Sequence, residues 1–144
     1  MACDLALPFS VRQYFDNPAV VNKSQLKLCS DTNLANHLLM SQYLNITGDT
    51  GGVVIQGDGT VTANCPDGYA WLSPPCRSDT TKCINFFTLG GGYGLTQTVQ
   101  KATTWNIPMA FMVAKTGSDW VSLSKTHKSL FYWCLGQQTE PQLS

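Results

Sequence analysis

Ile84-Asn85-Phe86-Phe87-Thr88-Leu89, the glycine run Gly90-Gly91-Gly92-Tyr93-Gly94, and Met109-Ala110-Phe111-Met112-Val113-Ala114 decide how this chain reads. The first segment has the β-branched and aromatic character of a strand. The last is a continuous apolar run of the kind found in strands covered on both faces. Between them, Leu95 to Trp105 predicts a helix that presents Leu95, Val99, Ala102 and Trp105 on one side, with Pro108 ending it. Ser118 or Asp119 can cap a further helix to about Lys128, and Ser129 to Trp133 reads as another strand. Strand, helix, strand, helix, strand at this spacing predicts βαβ crossovers and an α/β fold with a mainly parallel sheet flanked by helices.

Upstream the pattern weakens. Asp16-Asn17-Pro18 is a turn or helix start, and Gln25 to Cys29 alternates like a short strand. Asp31 or Thr32 is expected to cap a helix to about Tyr43 that buries Leu34, Leu38, Leu39 and Tyr43. Residues 45–68 are rich in turn formers, and only Val53-Val54-Ile55 reads as strand. Pro66, Pro74 and Pro75 make Cys65 to Lys82 a loop stapled by cysteines. Residues 1–134 are expected to form a single α/β lobe and 135–144 an unstructured tail.

Charged residues make up only 12% of the 144, against roughly 25% in an average soluble domain, and the formal net charge is zero. Nucleic-acid and anionic-membrane binders carry a basic surplus, because phosphate neutralisation supplies much of their affinity. Neither partner fits; a membrane association would come only through a parent chain. The six cysteines point to disulfides made in an oxidising compartment, with Cys29, Cys65, Cys76 and Cys83 as candidates. At least one bridge is expected among Cys65, Cys76 and Cys83. Six cysteines allow 15 connectivities, so the pairs stay open. Asn45-Ile46-Thr47 is an acceptor triplet for N-glycosylation and agrees with a secreted or luminal location. The first residues lack the basic and apolar regions of a signal peptide, so that signal is expected upstream, in a longer precursor.

The chemistry on offer favours binding. The Gly90–Gly94 loop is either a tight βα turn or a place where backbone N–H groups meet a ligand carboxylate. It lacks the Lys and Ser/Thr of a phosphate-binding loop. His37 and His127 sit in predicted helices with no orienting partner in view, so a cysteine-nucleophile enzyme is the least favoured reading. No metal site or cofactor is expected. Asp49, Asp58, Asp67 and Asp79 read as turn formers. Trp105 and Trp120 read as packing residues, whereas Trp71 and Trp133 are either packed edge residues or exposed rings able to hold a quaternary ammonium by cation–π attraction.

Cys65-Pro-Asp-Gly-Tyr-Ala-Trp-Leu-Ser-Pro-Pro-Cys76-Arg-Ser-Asp79 resembles eukaryotic proteins that carry a substrate-binding domain of the glycine betaine transporter type. Residues 90–103 and Ser129-Leu-Phe-Tyr-Trp133 are similar to the same family, and the resemblance spans roughly residues 14–133. It implies one lobe of a type 2 periplasmic-binding-protein-like fold, in which two lobes close on a betaine- or choline-like solute. The implied ligand contacts are Gly91, Gly92, Tyr93 and Gly94 of the glycine loop and Trp133. The first lobe is missing. Cys134 stands where the family has a Trp, and Leu135-Gly136-Gln137-Gln138 departs from its continuation. The alternative is a receptor-ectodomain interaction module that keeps the fold without solute binding.

Overall fold

A computed structural model describes residues 15–89 and 94–127. Its centre is a four-stranded sheet. The strands are β1 (Phe15–Asp16), β4 (Ala70–Leu72), β5 (Cys83–Leu89) and β6 (Met109–Ala114), in spatial order β1-β5-β6-β4. The elements between them are α1 (His37–Thr47), a hairpin of β2 (Val53–Ile55) and β3 (Val61–Ala63), and α2 (Pro74–Ser78). After β5 come α3 (Gly94–Thr104) and α4 (Gly117–His127).

The α/β class holds, but the sheet is mixed. β5 and β6 run parallel from Ile84↔Met109 to Leu89↔Ala114, while β1 joins β5 and β4 joins β6 antiparallel. The expectation of a mainly parallel sheet is therefore not met among the described residues. The difference comes from two short antiparallel strands: β1, of two residues, and β4, a three-residue strand inside the proline-rich stretch read as loop. The expected strand at Ser129–Trp133, the glycines Gly91 and Gly92 with Tyr93, and Cys3 and Cys134 lie outside the described residues, as does the tail 135–144.

Strand periodicity sorts the core into two layers. Ile84, Phe86, Met109, Phe111, Val113 and Trp71 face α1, α3 and the hairpin, meeting Met40, Tyr43, Val53, Val61, Leu95, Val99 and Ala102. Cys83, Phe87, Ala110, Met112 and Ala114 face the other way, onto Leu123 of α4, Val21 and Leu26. All six residues of β6 are buried, as a strand covered on both faces requires. α3 ends where Asn106 takes a left-handed conformation (φ 56°), which Asn tolerates better than most residues. α4 starts with a side-chain cap: Thr116 Oγ1 accepts from Asp119 N at 3.0 Å and donates to Asp119 Oδ2 at 3.0 Å. The cap is thus Thr116 rather than Ser118 or Asp119.

Two expectations fail upstream. Gln25 to Cys29 is not a strand; the side chains of Asn22 and Thr32 cap 3₁₀ turns on either side, and only Leu26 bridges to Ala114. α1 begins after Asn36, whose Oδ1 accepts from Leu39 N at 3.1 Å. The later start rotates the buried face to Met40 and Tyr43, leaving Leu38 exposed and Leu39 half-buried. Leu34 is buried as expected, from a 3₁₀ turn.

Candidate functional site

The densest chemistry among the described residues surrounds Asp49. Gly48, at φ 69°, closes α1 and turns the chain so that Asp49 comes back beneath Tyr43. Thr47 holds the bend, its Oγ1 donating to Tyr43 O at 2.8 Å and accepting from Asp49 N at 3.2 Å. From the other side, α2 delivers Arg77, whose Nε donates to Leu72 O at 2.7 Å. Arg77 Nη1 and Nη2 donate to the two Asp49 oxygens at 2.9 and 2.5 Å, a bidentate fork. Tyr43 Oη donates to Asp49 Oδ2 at 2.5 Å and shares a 2.6 Å hydrogen bond with Thr103 Oγ1 of α3.

Trp71 forms the floor. It is fully buried, its Nε1 donates to Gly52 O at 3.1 Å, and its ring meets Tyr43 edge-on and Arg77 at 5.5 Å. The ring left open as a cation holder is therefore a core residue, already under a guanidinium. Burial pushes the Asp49 carboxyl up; the hydrogen bonds from Arg77 and Tyr43 and the Arg77 charge outweigh it and leave the pKa below the usual aspartate range. Burial, with the Asp49 carboxylate beside it, drives the Tyr43 phenol well above its ordinary value. Tyr43 thus remains a donor at physiological pH. The groups are spent on one another, and the arrangement is a lock between α1, α2 and α3.

The other expected turn formers behave as such. Asp58, Asp67 and Asp79 each accept from backbone N–H groups two or three residues on. Cys29 pairs with Cys65 and Cys76 with Cys83, so the bridge expected within the stapled segment is present. None of the described cysteines is a free thiol. His37 Nδ1 accepts from Val61 N at 2.8 Å, and the His127 ring packs against Phe87. No three His, Cys, Asp or Glu side chains gather to hold a metal among the described residues. Trp105 is half-buried against the first core layer; Trp120 packs on the second and donates from Nε1 to Phe87 O at 2.8 Å. Asn45 is exposed on α1.

One edge of the sheet keeps the geometry that the βαβ reading called for. β5 and β6 end side by side at Leu89 and Ala114, and α3 and α4 begin at Gly94 and Gly117, just beyond them. Of the expected ligand residues, Gly94 is described, exposed, at the first position of α3; Trp133, Gly91, Gly92 and Tyr93 are outside the described residues. Neither the Tyr43–Asp49–Arg77 lock nor the burial of Asn85 was signalled by the sequence. Asn85 is fully buried in β5 with no hydrogen-bond partner for its amide.

No family model, no curated protein and no solved structure matches this chain.

Proposed function

We propose that the chain is a non-enzymatic binding domain of a secreted or membrane-anchored protein: one lobe of a betaine-type solute receptor, with its ligand surface at the carboxyl edge of β5 and β6. The observation that carries this is the start of two helices, α3 and α4, at that edge. The positive ends of helix dipoles favour a carboxylate there, chiefly at α3, because Thr116 and Asp119 already cap α4. Glycine betaine carries such a carboxylate, and its trimethylammonium end suits an aromatic ring. Open parallel sheets take ligands at the carboxyl ends of their strands. The two disulfides support an oxidising compartment, and no described helix is long and apolar enough to cross a membrane. The cross-linked cysteines and the occupied His37 ring weigh against nucleophilic catalysis by the described residues.

The second reading, an interaction module without solute binding, is favoured by the indoles. Trp71, Trp105 and Trp120 are committed to packing, so a cage would have to be built without them. Titration of the purified, disulfide-linked chain with glycine betaine, choline and carnitine, followed by calorimetry, separates the two. Saturable heat with glycine betaine exceeding that with choline supports the carboxylate edge. A flat titration from a folded chain supports the interaction module.

A further inference from the structure

Asn22-Lys23-Ser24 is a second acceptor triplet, and it folds very differently from Asn45-Ile46-Thr47. Asn22 and Ser24 are both exposed, in a surface 3₁₀ turn. Asn22 Oδ1 accepts from Ser24 N at 3.0 Å and from Ser24 Oγ at 2.8 Å. The side-chain oxygen is therefore held within the triplet while Nδ2 donates to no described group. Lys23 folds away, its Nζ reaching Asp67 at 3.4 Å and the carbonyls of Ala19 and Val21. The middle residue leaves the outer rim to the two that matter.

At Asn45 the triplet forms the last turn of α1. Its hydroxyl is committed: Thr47 Oγ1 donates to Tyr43 O and accepts from Asp49 N, next to the Arg77 lock. A transferase that must engage both the amide and the hydroxyl cannot do so there without unwinding that turn.

We infer that Asn22 is an N-glycosylation site that stays available after folding, whereas Asn45 accepts a glycan only before α1 closes. This rests on the secreted or luminal reading above. In the transfer, Asn22 Nδ2 attacks the anomeric carbon of an oligosaccharide carried on a lipid diphosphate. The new C–N bond forms, the C–O bond to the diphosphate breaks, the lipid diphosphate leaves, and the Nδ2 proton passes to a base of the transferase. The glycan would stand at the rim of the proposed ligand edge, because Gln25 O accepts from Lys115 N at 3.0 Å, one residue past β6.

The test expresses the whole chain behind a secretory leader in eukaryotic cells and maps glycopeptides and disulfides by mass spectrometry. The purified, unglycosylated folded chain is also offered to oligosaccharyltransferase with lipid-linked oligosaccharide. The expected result is a glycan on Asn22 in both settings, lost in Asn22→Gln and in Ser24→Ala, with Asn45 modified in cells only. An unmodified Asn22 in a secreted chain with both disulfides formed overturns the inference alone. An unmodified Asn22 in a chain whose four described cysteines remain thiols overturns it together with the compartment reading. Modification of Asn45 in the folded chain at the rate of Asn22 overturns the contrast between the two.

Discussion

Arg77 grips Asp49 with two parallel hydrogen bonds across 28 residues of sequence, and both side chains are largely withdrawn from solvent, at 22% and 10% exposure. Pairs of this kind matter most when half of one is removed. An uncompensated charge in a partly buried place costs roughly 3 kcal/mol. Arg77→Leu and Asp49→Leu should each lower the unfolding free energy by about that amount, read as a shift in denaturant midpoint at constant slope. The double variant should lose clearly less than the sum. Strict additivity would mean that the two groups do not act as a pair.

Acid should find the same lock. The folded pKa of Asp49 lies below its unfolded value, so its stabilisation is complete above the unfolded pKa, near pH 4, and is lost as pH falls through the folded one. Asp67 has the same sign: burial raises it, but the N–H groups of Ala70 and Tyr69 and the Lys23 charge prevail. Stability measured from about pH 6 down to about pH 2 should fall for the wild type. Asp49→Asn should fall less steeply, keeping the share due to Asp67. An unchanged slope would remove Asp49 from the account.

Gly52 has no room for a side chain. A Cβ there would run into Asp49 Oδ2 and stand 2.8 Å from Arg77 Nη2 and 3.0 Å from Tyr43 Oη. Gly52→Ala should cost about 1–3 kcal/mol through displacement of the fork. Gly57→Ala, with nothing within 4 Å of its new methyl, should stay within about 0.5 kcal/mol of wild type. Equal effects at the two positions would show that backbone entropy, not crowding, decides.

The disulfides should differ in weight. Cys29–Cys65 closes a separation of 36 residues and Cys76–Cys83 one of seven. Loop-closure entropy gives about 4 and about 2.5 kcal/mol, respectively. Paired Cys→Ala variants unfolded in denaturant should keep that order; a reversal would show that burial of the Cys76 and Cys83 sulfurs outweighs chain entropy.

Asn85 offers an inverted test. Its amide is buried unpartnered, so Asn85→Leu should leave stability unchanged or raise it by about 1–2 kcal/mol, where most core substitutions lower it. A loss in melting temperature beyond a few degrees would mean that the amide has a partner, such as an internal water.

The long apolar and periodic segments were legible. β5, α3, β6 and α4 lie within one or two residues of the expected bounds, because each buries a face wide enough to leave a pattern. β3 and β4 were not: Val61–Ala63 lacks the β-branched run that marks Val53–Ile55 and lies among turn formers, and Ala70–Leu72 sits among prolines whose turn signal dominates. Gln25–Cys29 failed for a local reason: Asn22 and Thr32 bond their own backbone, and that competes with extension. The lock was hidden by distance, because Asp49 looks like any loop aspartate until the fold places Arg77 beside it. The Asn22 triplet, in contrast, stands in plain view in the sequence; what the sequence does not show is that its turn leaves Asn22 and Ser24 exposed and bonded to each other.

The position of β6 between β5 and β4 also sets the order in which the chain can assemble. β4, at residues 70–72, waits for a partner that begins at Met109, and β1 waits for Cys83 and Ile84. As the polypeptide leaves the ribosome, the described residues up to Leu72 have no partner in the central sheet. Among them the small hairpin and α1 can close early, β1 can join once β5 has emerged, and β4 only after β6. Such nonlocal pairing makes for slow folding, and a nascent chain stalled before Met109 would hold β4 as an open edge within reach of its neighbours.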